Sequence, residues 1–196
     1  MLEKKEFEIP SEKFKKGATV YTDSDTPVKA AIIYFHGGGL LYGRRKDLPR
    51  PHLNTLTQAG YAIIAFDYPL APAAKLEMIM NDVESSIQYY IDHSDELIES
   101  PKSSEESLPY FLWGRSAGGA YLCLIAAAKG TYTQAPAGIL SYYGYGFLCD
   151  NWFKEPSRHY CTLPKVPESA LCVIPEGIHA DGDLDTHYSV YVYARQ

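Results

Sequence analysis

Ser116 is flanked by a glycine two positions before it and another two after it, in Gly114-Arg115-Ser116-Ala117-Gly118. A serine hydroxyl is a weak nucleophile until it is held clear of its neighbours and given a proton acceptor. A sharp turn from a strand into a helix does the first part, because it strains the central backbone and projects the side chain above the sheet edge. The flanking glycines avoid a Cβ where strand and helix cross closely. A second stretch, His36-Gly37-Gly38-Gly39, offers what acyl transfer to such a serine also needs. Three glycines let backbone N–H groups come close enough to a ligand oxygen to stabilise a developing oxyanion. The amide of Ala117, next after the serine, is the natural partner donor. Ser116 is thus the candidate nucleophile, with Gly38, Gly39 and Ala117 as candidate oxyanion donors.

Positioning these groups falls to the surrounding elements. Tyr110 to Trp113 read as a short buried strand, and Ala120 to Lys129 as a helix apolar nearly all round, stopped at Gly130. Ala30–Phe35 and Tyr61–Phe66 are uninterrupted apolar runs of strand length, the pattern of strands buried on both faces. Prolines 49 and 51 open a helix that ends before Gly60, and Leu76, Ile79, Met80, Val83, Ile87, Tyr90 and Ile91 recur at helical spacing. Ala137 to Tyr142 predicts one more strand. Residues 4–21 predict one or two edge strands with lysines on the exposed side, and residues 99–107 a polar surface loop. Strands alternating with helices predict an α/β fold, a mostly parallel sheet with helices on both faces. The triple glycine then ends a core strand where open parallel sheets bind ligands.

These motifs together resemble the hormone-sensitive-lipase-like esterase branch of the α/β-hydrolase family. His36-Gly37-Gly38-Gly39 is similar to its HGGG motif, and Gly114-Arg115-Ser116-Ala117-Gly118-Gly119 to its G-x-S-A-G-G elbow. Asp67-Tyr68-Pro69-Leu70-Ala71-Pro72 resembles its D-Y-R-L-A-P segment. The resemblance implies a serine hydrolase of the carboxylesterase type. It would act on small carboxylic esters through an acyl-serine intermediate and need no cofactor. It also implies that His36 anchors its loop rather than serving as base, with Gly37, Gly114, Gly118 and Asp67 as further structural positions. Two departures stand out. Pro69 replaces an arginine, so that loop must be held by another group, and Arg115 stands where an acid is usual.

The resemblance covers about two thirds of the family's usual chain, so the C-terminal strands that carry acid and base are expected to be missing. The domain reading is a hydrolase core over 1–143 and a lid-like or cap-like segment over 144–196, with one short helix near 167–174. Acid and base are therefore unknown from the sequence. The weak candidates are Asp150 and His179, which keep the order serine, acid, histidine. Asp181-Gly-Asp-Leu-Asp185 has the look of a calcium loop, but Thr186 stands where the loop needs glycine and Val192 where it needs glutamate, so no metal is expected. Residues 188–193 fit a strand or an amphipathic helix equally well.

At 196 residues and 46% apolar content the chain suits one domain with a sizeable core. A net charge of −6 argues against nucleic acid or an anionic membrane as partner. Cys123, Cys149, Cys161 and Cys172 form no C-x-x-C pair, and a cytoplasmic location with reduced thiols is the default. A sheet that stops at 137–142 leaves an open edge, so self-association is expected unless residues 188–193 cover it. Two other functions stay open. One is a catalytically impaired fragment that lacks acid and base. The other is a non-catalytic module binding apolar ligands through Tyr142, Tyr143, Tyr145, Phe147, Trp152 and Phe153.

Overall fold

Ala30–Phe35 forms β3, and all six of its residues are buried. Such a strand can exist only with a neighbour on each edge and a layer on each face, and it has all four. A computed structural model describes residues 1–99, 108–144, 151 and 154–196. β1 (Leu2–Ile9), β2 (Lys16–Asp23), β3, β4 (Tyr61–Phe66), β5 (Tyr110–Arg115) and β6 (Gly138–Tyr142) make one sheet in the order β1-β2-β4-β3-β5-β6. β4, β3, β5 and β6 run parallel, while β1 and β2 are antiparallel additions.

Two apolar layers enclose the sheet. On one face, α2 (Leu76–Leu97) lays Ile79, Met80, Val83, Ile87 and Tyr90 on β3 and β4, joined by Leu122, Cys123 and Ala126 from the helix after β5. Each such side chain contributes about 1.5–3 kcal/mol by leaving water. On the other, Leu53 of α1 (Arg50–Gln58) and Leu48 meet Tyr34, Ile63 and Trp113. The Tyr34 and Trp113 rings pack edge to face at 5.2 Å. Helices on both faces of a mostly parallel sheet are thus the architecture.

Two details differ from the sequence reading, and one open alternative is settled. β2 is an interior strand, because it also pairs with β4. Lys16 is accordingly buried rather than exposed, and its ammonium pairs with Asp82 at 2.8 Å. The helix after the serine begins two residues early, with a wide π-helical turn over Gly118–Cys123 before α3 (Leu124–Lys129). Residues 188–193 fall within α4 (Leu184–Arg195), not a strand, so they do not pair with β6. Near 167–174 lies a short 3-10 helix, Glu168–Val173. The loop expected over 99–107 falls almost wholly outside the described residues, as do Cys149 and the aromatic residues 145, 147, 152 and 153. No helix among the described residues is long and apolar enough to cross a membrane.

Candidate active site

β5 delivers Ser116. Its last residues pair with β6, Gly114 opposite Ser141 and Arg115 opposite Tyr142, and the Ser116 amide donates to the Tyr142 carbonyl at 2.8 Å. The chain then turns at once into the helix, which forces Ser116 to φ 51°. A left-handed conformation in a residue with a Cβ costs about 1–2 kcal/mol and persists only where surroundings impose it. Here Gly118 imposes it. A Cβ on Gly118 would lie 2.4 Å from the Phe35 carbonyl oxygen and 2.5 Å from that of His36, so the helix passes directly over the end of β3. Tyr143 (φ 44°) and Leu40 (φ 65°) are the other non-glycine residues with positive φ among the described residues. Tyr143 flanks Ser116 and Leu40 ends the glycine loop, so the strain is gathered around one place.

β3 delivers the glycine loop. Gly38 (φ 108°) and Gly39 (φ 61°) take conformations that suit glycine, and the Gly38 carbonyl accepts from the Leu41 and Tyr42 amides at 3.0 and 3.2 Å. The Gly38 and Gly39 amides themselves donate to no backbone carbonyl of a described residue. The Ala117 amide belongs to the unbonded start of the helix. Gly37 packs against the serine: a Cβ there would be 3.1 Å from the Ser116 Cβ.

His36 points the other way, into the protein. It is buried, its Nδ1 lies 2.7 Å from the Gly37 carbonyl oxygen, and its ring stacks on Tyr68 with centroids 4.3 Å apart. Burial pushes its pKa down to about 4, so the ring is neutral at pH 7 and its Nδ1–H donates to Gly37. The loop's neighbour, Asp67, accepts from the Gly17 amide at 2.9 Å and pairs with the Arg45 guanidinium. Arg45 also bonds Glu6 and Thr19. The segment that carries Pro69 is thus held by a cation arriving from the loop that follows the glycines. Nothing in the sequence pointed to Arg45 beyond its charge.

Ser116 opens onto a cleft of about 530 Å³ that is also lined by Gly37, Gly38, Tyr34, Arg44, Asp47, Arg115, Tyr143 and the Gly182–Leu184 stretch. That stretch is tied to the glycine loop by paired backbone bonds between Gly43 and Gly182, at 2.8 and 3.0 Å. From α4, Tyr191 lies over Gly39, where an added Cβ would come within 2.7 Å of its ring. No histidine is among the described residues lining the cleft. His179 lines a different cavity, of about 670 Å³, beside Arg45 and Asp67, and its carbonyl accepts from the Leu70 amide at 2.9 Å. Asp150 lies outside the described residues. Among those described, no group of three or more histidine, cysteine or acidic side chains is placed to hold a metal.

Arg115 makes no ion pair with a described residue. Its guanidinium donates from Nε to the Tyr143 hydroxyl and, at 3.1 Å, from an Nη to the Asp47 carbonyl oxygen.

Lipase 2 of Moraxella sp. (strain TA144) is 31% identical over 101 residues, 50% of this chain and 21% of that protein. The acetyl esterase of Salmonella schwarzengrund (strain CVM19633) is 30% identical over 74 residues, 37% of this chain and 23% of that protein. Among solved structures, an alpha/beta hydrolase superfamily protein from Enterococcus faecalis superposes with a TM-score of 0.73 at 28% identity, covering 93% of this chain and 62% of that one. A protein of unknown function from Staphylococcus aureus subsp. aureus Mu50 gives a TM-score of 0.76 at 26% identity, covering 98% and 65%. The chain spans about a fifth of the length of these two curated relatives and under two thirds of these two solved chains. Residues 32–172 match the family described as alpha/beta hydrolase fold, a span that starts in β3 and runs beyond the serine turn and β6. A match of that extent shows the family: this chain belongs to the alpha/beta-hydrolase fold family.

Proposed function

We propose that the chain carries a serine hydrolase site of the carboxylesterase type, acting on small carboxylic esters. The observation that supports this most is that Ser116, held at φ 51°, shares one cleft with the glycine loop. In the reaction, Ser116 Oγ bonds to the ester carbonyl carbon and the carbonyl π electrons move onto oxygen. The Gly38, Gly39 and Ala117 amides offer hydrogen bonds to that oxyanion. Its collapse breaks the bond to the alcohol oxygen, which leaves carrying the serine proton, and water then releases the acid from the acyl-serine. Among the described residues after β6, Leu184 lines the cleft and Tyr191 covers Gly39, so together they bound one side of the site. The test is labelling of the whole chain by a fluorophosphonate probe. Ser116 is expected to become modified and Ser116→Ala to remain blank; a wild-type protein that stays blank ends this reading.

A second reading has its own observation, the absence of a histidine among the described residues of the cleft. On it, the chain keeps the nucleophile and oxyanion loop but lacks a base, and its turnover is residual. Hydrolysis of p-nitrophenyl acetate no faster than by Ser116→Ala would favour it.

A further inference from the structure

We propose that the cleft selects esters bearing a carboxylate, received by the Arg115 guanidinium and the Tyr34 hydroxyl. The proposal rests on the serine hydrolase reading above and names the class of substrate that site takes.

The cleft holds two cations and two anions, Arg44, Arg115, Asp47 and Asp183, and they are unevenly arranged. Arg44 lies between both carboxylates, 3.9 Å from Asp47 and 3.5 Å from Asp183. Arg115, adjacent in sequence to the nucleophile, is left with neutral partners only among the described residues, the phenols of Tyr143 and Tyr34 and the Asp47 backbone carbonyl. A guanidinium has five donors in a planar fork that fits a carboxylate. Those contacts leave part of the fork unused.

Tyr34 supplies the independent observation. It is 0% exposed, yet it lines the same cleft; its hydroxyl makes no well-aligned hydrogen bond among the described residues, and the Arg115 guanidinium beside it can only donate, which leaves the phenol proton without an acceptor. A buried hydroxyl whose proton lacks an acceptor is unfavourable and asks for one from outside. The group in that space must accept from a phenol and a guanidinium together, beside Ser116. A carboxylate does both, and a charge-assisted bond of this kind is about twice as strong as a neutral one. An apolar acyl chain would offer no acceptor to the phenol proton or to the unused part of the guanidinium fork.

A purely structural arginine, bracing Tyr143 and the Asp47 loop, would not distinguish substrates by charge. The experiment therefore reads a ratio. Two fluorophosphonates of equal length, one ending in methyl and one in carboxylate, are reacted with the full chain, and modification of Ser116 is timed by mass spectrometry. The carboxylate probe is expected to react about tenfold faster, the factor carried by one charge-assisted hydrogen bond. Arg115→Gln should bring the ratio to about one, Arg115→Lys should keep part of it, and Tyr34→Phe should lower it about threefold. High salt should narrow the wild-type ratio, because the attracting charge is partly exposed. Equal rates in the wild type, or a ratio that Arg115→Gln leaves unchanged, would overturn the carboxylate assignment with Ser116 still labelled. If Arg115→Gln does not fold, a ratio indifferent to both Tyr34→Phe and salt overturns it instead. Failure of both probes to modify Ser116 removes the hydrolase reading, and this one with it.

Discussion

Tyr68 donates its hydroxyl to the carbonyl oxygen of His36 at 2.9 Å while its ring stacks on the His36 imidazole. The two residues sit at the C-terminal ends of adjacent strands, β3 and β4, and the glycine loop starts from this pair. The loop thus leaves the sheet from a fixed point, although three of its residues are glycine.

Removing that hydroxyl should loosen the loop without emptying the core. Tyr68→Phe is expected to lose about 1 kcal/mol of stability, the net worth of one buried neutral hydrogen bond, in urea titration. Probe labelling of Ser116 should slow in the same variant. Unaltered labelling would mean that the loop does not depend on this bond.

The neighbouring imidazole makes stability depend on pH. Burial lowers the His36 pKa to about 4 in the folded protein, while the unfolded chain titrates near about 6.5. Below the higher value the unfolded state binds a proton that the folded state refuses. Stability from this group is therefore intact above about pH 6.5 and declines as pH falls toward about 4, by on the order of 3 kcal/mol. Urea midpoints measured from pH 7 to pH 4.5 should trace the decline, and His36→Gln should show a flatter slope over that window.

Gly118 tolerates no side chain. Its Cβ would meet two carbonyl oxygens at 2.4 and 2.5 Å, both of them backbone, which cannot swing aside. Gly118→Ala should destabilise by about 3 kcal/mol or more, or shift the helix and abolish Ser116 labelling while far-ultraviolet dichroism stays near wild type. Normal labelling with normal stability would contradict the close crossing.

β6 is the last strand on its side of the sheet among the described residues, and Ile139 and Tyr142 on it are exposed. A parallel strand with a bare rim pairs readily with another chain. Sedimentation should detect concentration-dependent association, and Ile139→Lys should weaken it. A monomer at every concentration, in both proteins, would argue that the rim is protected.

Much of this was legible because glycine and serine patterns report backbone geometry directly. Gly114 to Gly118 demanded a tight turn, and the apolar runs of β3 and β4 demanded burial on both faces; the structure has both. What stayed hidden was tertiary. Tyr188 to Tyr193 fit a strand and a helix equally well in sequence; the choice of α4 is made by its turning His187 and Val190 inward and laying Tyr191 over Gly39, contacts that no local pattern encodes. Lys16 looked like an edge lysine because Asp82, its partner, is 66 residues away. Ser116 and its glycines could be found from neighbours in sequence, whereas a base and its acid must be found in space.

The Asp67 carboxylate draws its arginine from position 45, while position 69 holds a proline. Two loops are thereby made to share one fate through descent. Losing Arg45 would leave the buried Asp67 carboxylate with the Gly17 amide as its hydrogen-bond donor and no guanidinium. Homologues should consequently inherit Arg45 and Asp67 as a linked pair, switching both together or neither.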